Sequence, residues 1–547
     1  MRLSSSIADH LKFLLPSADD YREANWRRDL VAGVTVGIVA LPLALAFGVS
    51  SGVGAAAGLV TAIVAGLIAA VFGGSHVQVS GPTGAMVVIL APIVAQHGAS
   101  SIMLLSVMAG LMVFAFGLLG LGKAISLIPW SVVEGFTLGI ATLIALQQVP
   151  MAMGGVEIPA GVNSLYGAFL AVQAADWAVS AFTLGIVLVT VLMIVGTSRI
   201  STTFPASLVA VVVVSLAAFF GNLAVPTIGQ LPSSLPAPSL PYVDFSLMRQ
   251  LLPAAFAVAM LAAIESLLSA RVAAGMPGQG SYQPDRELVG QGLASIGSGI
   301  FGGMPATGAI ARTAVNVKSG ATSRVSAIVH AIILGAVVYL AAGLVSHIPL
   351  AALAGVLFVT AFRMVSTSSV CKILGSTRGD GLVFWITALI TVVFDLVVAI
   401  GLGVAIAVFW AVYHLSRLSG VVELPLPGER QQTDDKIAYF RLDGSMFFGA
   451  AERIVTELSD VHRSTGVVIL SMSHVGILDA SGAKQLSDVF VELNERGIIT
   501  MIKGLRPEHL KAAQSVGIID ALSSPTYLFD SIEEAAASAR RLVAEGL

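Results

Sequence analysis

Two stretches of this chain repeat one design, FGGSHVQVSGPTGA at residues 72–85 and FGGMPATGA at residues 301–309. Both lie inside sequence apolar enough for a membrane, where proline and glycine interrupt a continuous helix. The design therefore predicts two broken spans, in which half-helices begin at Thr83 and at Thr307. The first N–H groups of a helix have no partner within it, so they attract anions. Two interrupted segments in corresponding halves of a chain are typical of the substrate site of a secondary transporter with inverted repeats.

The composition separates a membrane domain from a soluble tail. Of the 547 residues, 56% are hydrophobic and 11% are charged, whereas soluble domains have roughly 25% charged residues. The apolar runs end near Leu418, and a linker with two prolines follows at 422–428. We predict three parts, a cytoplasmic N-terminal segment at 1–25, a transport domain at 26–420 and a cytoplasmic soluble domain at 421–547.

Hydropathy predicts an all-α polytopic membrane domain with fourteen spans, seven in each half. In the first half they lie roughly at 30–49, 54–72, 83–96, 101–121, 125–147, 178–196 and 203–221. In the second half they lie roughly at 250–271, 287–302, 307–317, 323–345, 348–365, 381–396 and 399–416. An odd number of spans in each half gives the halves opposite orientations, which is an inverted repeat.

Basic residues predict the orientation of these spans. With a cytoplasmic N-terminus, Arg249 is the only Lys or Arg that falls in an outside loop. Cytoplasmic loops carry the excess of Lys and Arg in membrane proteins. We therefore expect both termini in the cytoplasm, in a multi-pass protein of the plasma or inner membrane.

Glu265 lies in the middle of the eighth predicted span. An ionised carboxylate at the bilayer centre costs about 2.5 to 3.5 kcal/mol on insertion scales, so it faces a cavity or is protonated. Ser269 follows four residues later on the same helix face and could share a cation or a hydrogen bond with it. The alternative is a buried acid that only fixes helix packing.

Arg312 lies five residues into the second predicted half-helix. Its guanidinium stays charged, so it could attract an anion near the two helix starts. The alternative is that Arg312 snorkels to the cytoplasmic face beside Lys318. Thr83 and Thr307 could likewise be plain N-caps, which would not exclude an anion at the same N–H groups.

Other site chemistries find little support in the sequence. The single Cys371 excludes a disulfide framework, and the histidines lack metal-ligand spacing. Residues 117–123 match the spacing of a phosphate loop, but Ala124 replaces its Ser or Thr. We therefore expect no cofactor, no metal, no nucleic-acid partner and no enzymatic activity.

Several motifs together resemble the SulP family of anion transporters, the sulfate permeases. They are RDLVAGVTVG at 28–37, LPLALAF at 41–47, the first broken stretch, DRELVGQG at 285–292, Arg312 with Asn316, and DLVVAIG at 395–401. The resemblance covers nearly the whole chain and implies the fourteen-span fold of uracil permeases, in a homodimer. A core domain of spans 1–4 and 8–11 would move against a gate domain of spans 5–7 and 12–14.

The resemblance also implies a site. Its substrate-binding residues would be Leu43, Phe47, Thr83, Gly84, Ala85, Thr307, Gly308, Ala309 and Arg312, with Glu265 and Ser269 at the coupling-ion position. The sodium-dependent bicarbonate branch resembles this chain but carries Asp and Thr where Glu265 and Ser269 stand, and a hydroxyl residue where Ile310 stands. The longer glutamate favours proton coupling, with sodium as the alternative.

The tail resembles a STAS domain, a small α/β fold. Strand-like runs at 437–440 and 467–470 alternate with helical sequence, which indicates parallel strands. Ser481 matches the phosphorylatable serine of anti-sigma factor antagonists, and the alternative is a helix N-cap.

We therefore predict a proton-coupled secondary active transporter of a small inorganic or carboxylate anion, of the sulfate or bicarbonate class, and not an enzyme. The alternatives are a sodium-coupled bicarbonate symporter, a passive anion channel or exchanger, and a sensor whose tail signals anion status.

Overall fold

A computed structural model of the chain describes residues 24–125, 128–159, 162–200, 205–223, 225–231, 234–242, 244–394, 396–447, 458, 461, 462 and 464–546. Most of the predicted N-terminal segment, residues 1–23, lies outside the described residues, as does Asp395 of the DLVVAIG motif. The chain divides into two compact units between Val404 and Ala405.

The first unit is helical, as predicted. Its first half contains α1 Trp26–Ser50, α2 Ala55–Phe72, α3 Gly84–His97, α4 Ser101–Leu118, α5 Gly122–Ile125, α6 Trp130–Ala152, α7 Ser164–Gln173, α8 Trp177–Ile200 and α9 Ala206–Phe220. Its second half contains α10 Phe245–Ala274, α11 Pro284–Ile300, α12 Ile310–Lys318, α13 Val325–Val345, α14 Leu350–Met364, α15 Thr367–Ser376 and α16 Arg378–Val393, followed by α17 Leu396–Leu418. Eight helices within the described ranges are long and apolar enough to cross a membrane.

Each of the fourteen predicted spans corresponds to one of these helices, and α5, α7 and α15 are additional short helices that hydropathy did not predict. The arrangement is consistent with fourteen spans and confirms the helical membrane fold.

Glycines allow several of these helices to approach one another closely. A Cβ atom at Gly292 of α11 would lie 2.5 Å from the backbone nitrogen of Phe114 in α4. A Cβ atom at Gly33 of α1 would lie 2.5 Å from the carbonyl oxygen of Ser326 in α13. Since real Cβ atoms do not come so close to backbone, these pairs of helices require glycine at their crossings.

The two broken stretches meet in a short antiparallel pair of strands. Strand β1 is Ser80–Gly81 and strand β2 is Thr307–Gly308, with Ser80 opposite Gly308. The predicted start of the second half-helix at Thr307 is therefore wrong, because Thr307 is extended and α12 begins at Ile310 after Ala309. The first half-helix begins at Gly84 with Thr83 at its N-cap, as predicted.

The second unit contains a six-stranded sheet, β3 Gly420–Leu424, β4 Ile437–Met446, β5 Val467–Ser471, β6 Val475–Leu478, β7 Ile499–Lys503 and β8 Leu528–Phe529. The order is β3-β4-β5-β7-β8 with β6 beside β4, and only β3 runs antiparallel to its neighbour. The helices are α18 Ala480–Glu495, α19 Pro507–Ser515 and α20 Ile532–Ala544. This confirms the predicted α/β layer.

The sheet has a hydrophobic core on each face. In β5, Val468 and Leu470 belong to one core and Val467 and Ile469 to the other. This alternation follows from the period of two in a strand. Residues 422–424, predicted as linker, are instead the end of β3, because they pair with β4.

Candidate functional site

A cavity of about 400 Å³ lies beside the two broken spans. Its lining includes these predicted site residues: Leu43, Phe47, Thr83, Gly84, Ala85, Glu265, Ala309 and Arg312. Thr307, Gly308 and Ser269 are buried but do not line it. Most of the remaining lining is apolar, and its other polar residues are Thr137, Ser207, Thr360 and Arg363.

Glu265 connects the two broken spans. Its Oε2 atom accepts a hydrogen bond of 2.9 Å from the Thr83 hydroxyl. The Thr307 hydroxyl lies beside this carboxylate and donates to the Gly308 carbonyl oxygen at 3.2 Å. One carboxylate on α10 thus lies beside a residue of each interrupted stretch.

The start of α3 has no side-chain cap. Thr83 is the N-cap residue, but its hydroxyl is directed to Glu265 and makes no capping bond. The alternative of a plain threonine cap is therefore wrong at this position. The first N–H groups of α3, at Gly84, Ala85 and Met86, have no acceptor within the helix. Gly84 and Ala85 line the cavity.

At the second broken span, two N–H groups are already engaged. Gly308 donates its N–H to the Ser266 hydroxyl at 2.9 Å, and Ala309 donates to the Val79 carbonyl oxygen at 2.9 Å. The N–H groups without an intrahelical acceptor therefore begin at Ile310, three residues after Thr307. Ile310 and the following residue, Ala311, line the cavity.

Ser269 does not serve Glu265. Its hydroxyl donates to the Thr313 hydroxyl oxygen at 3.2 Å. The same Thr313 oxygen accepts the Val79 N–H at 3.1 Å. The predicted sharing of a hydrogen bond between Ser269 and Glu265 is wrong, because the Ser269 hydroxyl is bonded to Thr313 of α12 instead.

Arg312 is buried, with 2% of its surface exposed. Its Nη2 atom donates to the Pro82 carbonyl oxygen of the other broken stretch. The snorkelling alternative is therefore wrong, since the side chain turns toward the opposite half of the chain. Its charge lies next to the cavity that both helix starts face.

Two buried acids that bind the broken stretches or the loop after them were not identified from the sequence. Glu287 of α11 accepts hydrogen bonds from the Gly74 and Ser75 N–H groups at 2.8 and 3.0 Å, and from Gln78 and Gln291 at 2.9 Å each. Glu287 thus holds the first broken stretch in place. The sequence offered one indication of this role, since Glu287 is an acidic residue at the predicted start of the apolar ninth span.

Asp29 of α1 has a similar role in the second half. It accepts hydrogen bonds from the backbone and hydroxyl groups of Thr322 and Ser323, at 2.7 to 3.1 Å. These residues follow α12, so Asp29 anchors the loop after the second half-helix.

Arg363 of α14 was also not predicted as a site residue, although it lines the cavity.

Ser481 is exposed in the first turn of α18. The N-cap is Asp479, which accepts the Gly482 N–H at 2.7 Å. The alternative that Ser481 caps this helix is therefore wrong.

Comparison with known proteins agrees with this architecture. The sulfate permease family matches residues 26–387, and the STAS domain family matches residues 430–535. The YvdB protein of Bacillus subtilis is 33% identical over 527 residues, covering 94% of this chain and 98% of its own. The bicarbonate transporter BicA of Synechocystis is 31% identical over 506 residues, covering 88% of each chain.

The solved structure of SLC26A9 has the same fold, with a TM-score of 0.84 at 16% identity over 98% of this chain and 94% of that one. The family matches cover both units, and the relatives align over nearly the full length. The chain therefore belongs to the sulfate permease family and ends in a STAS domain.

Proposed function

We propose that this protein is a secondary active transporter of a small anion of the sulfate or bicarbonate class, in the plasma or inner membrane. The observation that carries this proposal is the convergence of the α3 start, the α12 start and the buried Arg312 on one cavity. The family name and the name of the relative BicA supply the substrate class.

The strength of this site suits transport. Each helix start offers an anion about 0.3 to 2 kcal/mol. Two such starts and one arginine hold an anion without a deep energy well, so it can be released again. The substrate-binding residues that we propose from the cavity are Leu43, Phe47, Thr83, Gly84, Ala85, Ala309, Ile310 and Arg312.

We propose protons as the coupling ion and Glu265 as the group that carries them. Among the described residues, Glu265 is near two hydroxyls, those of Thr83 and Thr307. Ser269 is engaged elsewhere, and Ile310 brings no oxygen from its side chain. Since hard cations take several oxygen ligands, this set favours a proton over sodium.

Alternating access would come from motion between the two groups of helices. In the proposed gate, a Cβ at Gly135 of α6 would lie 2.4 Å from the Phe384 carbonyl oxygen of α16, so these helices are tightly joined. Between gate and core, the contact at Gly84 is instead with the Cδ1 end of Ile144. A flexible side-chain end can slide where backbone contacts cannot.

Uptake into proteoliposomes tests this function. Labelled bicarbonate and sulfate should accumulate when a pH gradient is imposed, and a sodium gradient should add nothing. Accumulation only with sodium would support the sodium-coupled symporter, and flux without accumulation would support a channel or exchanger. No flux of either anion under any gradient would refute the proposed function.

A further inference from the structure

Two buried polar groups near the site have no hydrogen-bond partner among the described residues. One is the Nη1 atom of Arg312, and the other is the imidazole of His330 on α13, at both ring nitrogens. The exposed fractions of the two side chains are 2% and 0%. Native proteins rarely leave such groups unpaired, because a buried polar atom without a partner has lost the hydrogen bonds that it made in water.

His330 lies beside α2, and Arg312 Nη1 lies beside Gly81, which itself packs on α2. A Cβ at Gly81 would lie 2.7 Å from Arg312 Nη1 and 3.3 Å from the Ala62 Cα. A Cβ at Gly66 would lie 3.8 Å from His330 Nδ1. Ala62 and Gly66 are four residues apart, and residues with this spacing are neighbours on a helix surface.

Gly66 lies beside both a backbone acceptor and the unpaired imidazole. The same Cβ position lies 3.3 Å from the Ser80 carbonyl oxygen, so it is within reach of an acceptor as well as of the imidazole. A buried water needs two to four polar partners and about the volume of one water-sized sphere. The Ser80 carbonyl oxygen, His330 and Arg312 Nη1, which lies beside Gly81, would supply those partners.

We propose that an ordered water molecule binds between Gly66, Ser80 and His330, and that it connects His330 to Arg312 Nη1. His330 is then a positioning residue. With Nη2 held by the Pro82 carbonyl and Nη1 held through the water, the guanidinium has one fixed orientation beside the cavity. This inference rests on the proposed role of Arg312 in anion binding.

Two variants remove the water in different ways. Gly66→Ala places a methyl carbon 3.3 Å from the Ser80 carbonyl oxygen, a close contact that competes with a water at this oxygen, and His330→Leu removes both ring nitrogens. Each should raise the KM for bicarbonate uptake by about fivefold, as expected when a hydrogen bond that orients a charged group is lost. His330→Gln keeps a donor and an acceptor and should restore most of the affinity.

Gly335→Ala is the matched control, because Gly335 lies on the same helix as His330 and a Cβ there meets nothing within 4 Å. Its KM should equal that of the wild type. The positioning role would be overturned if Gly66→Ala and His330→Leu lost thermal stability equally and both kept the wild-type KM.

The water itself is tested independently of transport. A density map of the wild-type protein at about 2 Å resolution should contain a water peak within hydrogen-bonding distance of His330 and Ser80. Absence of that peak would overturn the water site even if transport is found. If no anion is transported but the peak is present, the proposed function fails and the water site stands.

Discussion

The Thr83 hydroxyl donates a hydrogen bond of 2.9 Å to the Glu265 carboxylate, across 182 residues of sequence. This bond places the proposed proton carrier at the start of the first half-helix. A protonated Glu265 would no longer need the hydroxyl as a donor, so the hydroxyl could turn to an anion. The two proposed binding events would thus share one side chain.

Glu265→Gln should abolish uptake driven by a pH gradient, because the amide cannot take up and release a proton. Anion exchange or binding should remain measurable, since the half-helix starts and Arg312 are intact. Proteoliposomes with and without a gradient separate the two activities. Undiminished concentrative uptake in this variant would refute proton coupling through Glu265.

Arg312→Ala should weaken anion affinity by about tenfold or more, since hydrogen bonds with a charged group contribute about 1.5 to 3 kcal/mol. Thr83→Ala should have a smaller effect, because its hydroxyl is bonded to Glu265. Lys318→Ala is the matched control, an exposed cation on the same helix. Calorimetry with the transported anion measures all three. Equal affinities in wild type and Arg312→Ala would rule out a direct role.

Ile310→Pro tests the backbone N–H groups directly. Proline is tolerated at the first position of a helix, so it removes one donor and leaves the helix in place. Anion affinity should fall about threefold to tenfold, in line with the energy of a helix start. Ile310→Ala keeps the N–H and serves as the control. If both variants bind equally well, the anion does not depend on this N–H group.

Gly84→Pro, compared with Gly84→Ala, applies the same test at α3. Gly308→Pro is not such a test, because the Gly308 N–H is donated to the Ser266 hydroxyl. The Gly308→Pro variant should instead lose folded protein, because proline removes the N–H that bonds to Ser266.

One largely buried ion pair should stabilise the STAS domain. Arg540 donates two hydrogen bonds to Asp434, at 2.8 and 2.9 Å, and both side chains are largely buried. The hydrogen bonds from Arg540 lower the pKa of Asp434 below its ordinary value. Because the folded-state pKa is lowered, the pair stabilises the domain above the unfolded pKa of about 3.9. This stability is lost as the pH falls through the folded-state pKa.

Asp434→Asn in the isolated domain should therefore reduce the free energy of unfolding at pH 7 by about 1.5 to 3 kcal/mol. The difference from wild type should shrink as the solution is acidified below pH 4. Arg430→Ala is the control, since its pair with Asp435 is exposed and should contribute less than about 1 kcal/mol. Urea unfolding followed by circular dichroism measures each value. A constant difference at all pH values would contradict the assignment.

The sequence predicts that the STAS domain begins at residue 421. We propose that it begins at Gly420 instead, because β3 begins there and pairs with β4. A fragment from Ser419 should be soluble and more stable than one from Pro427, which lacks this strand. Thermal unfolding of the two fragments gives the comparison. Equal melting temperatures would show that β3 adds nothing to the folded domain.

The sequence predicted those features that depend on local chemistry. Proline and glycine in both broken stretches predicted the interruptions, and Thr83 marked the start of α3. The start of α12 could not be found in this way, because it depends on the pairing of Ser80 with Gly308 across the two halves. The partner of Ser269 is similarly non-local, since Thr313 lies on another helix. The Asp479 cap, by contrast, is local, because an aspartate three residues before Gly482 is a typical N-cap in the sequence.

The pairing of β1 with β2 also concerns what one half of this chain could do without the other. Each strand contributes its hydrogen-bonding edge to the opposite repeat, and Arg312 reaches the Pro82 carbonyl of that repeat. A polypeptide with one repeat alone could form this constellation only by docking onto an inverted copy of itself. Splitting the gene between the halves should therefore give two inactive products that regain function when they are produced together.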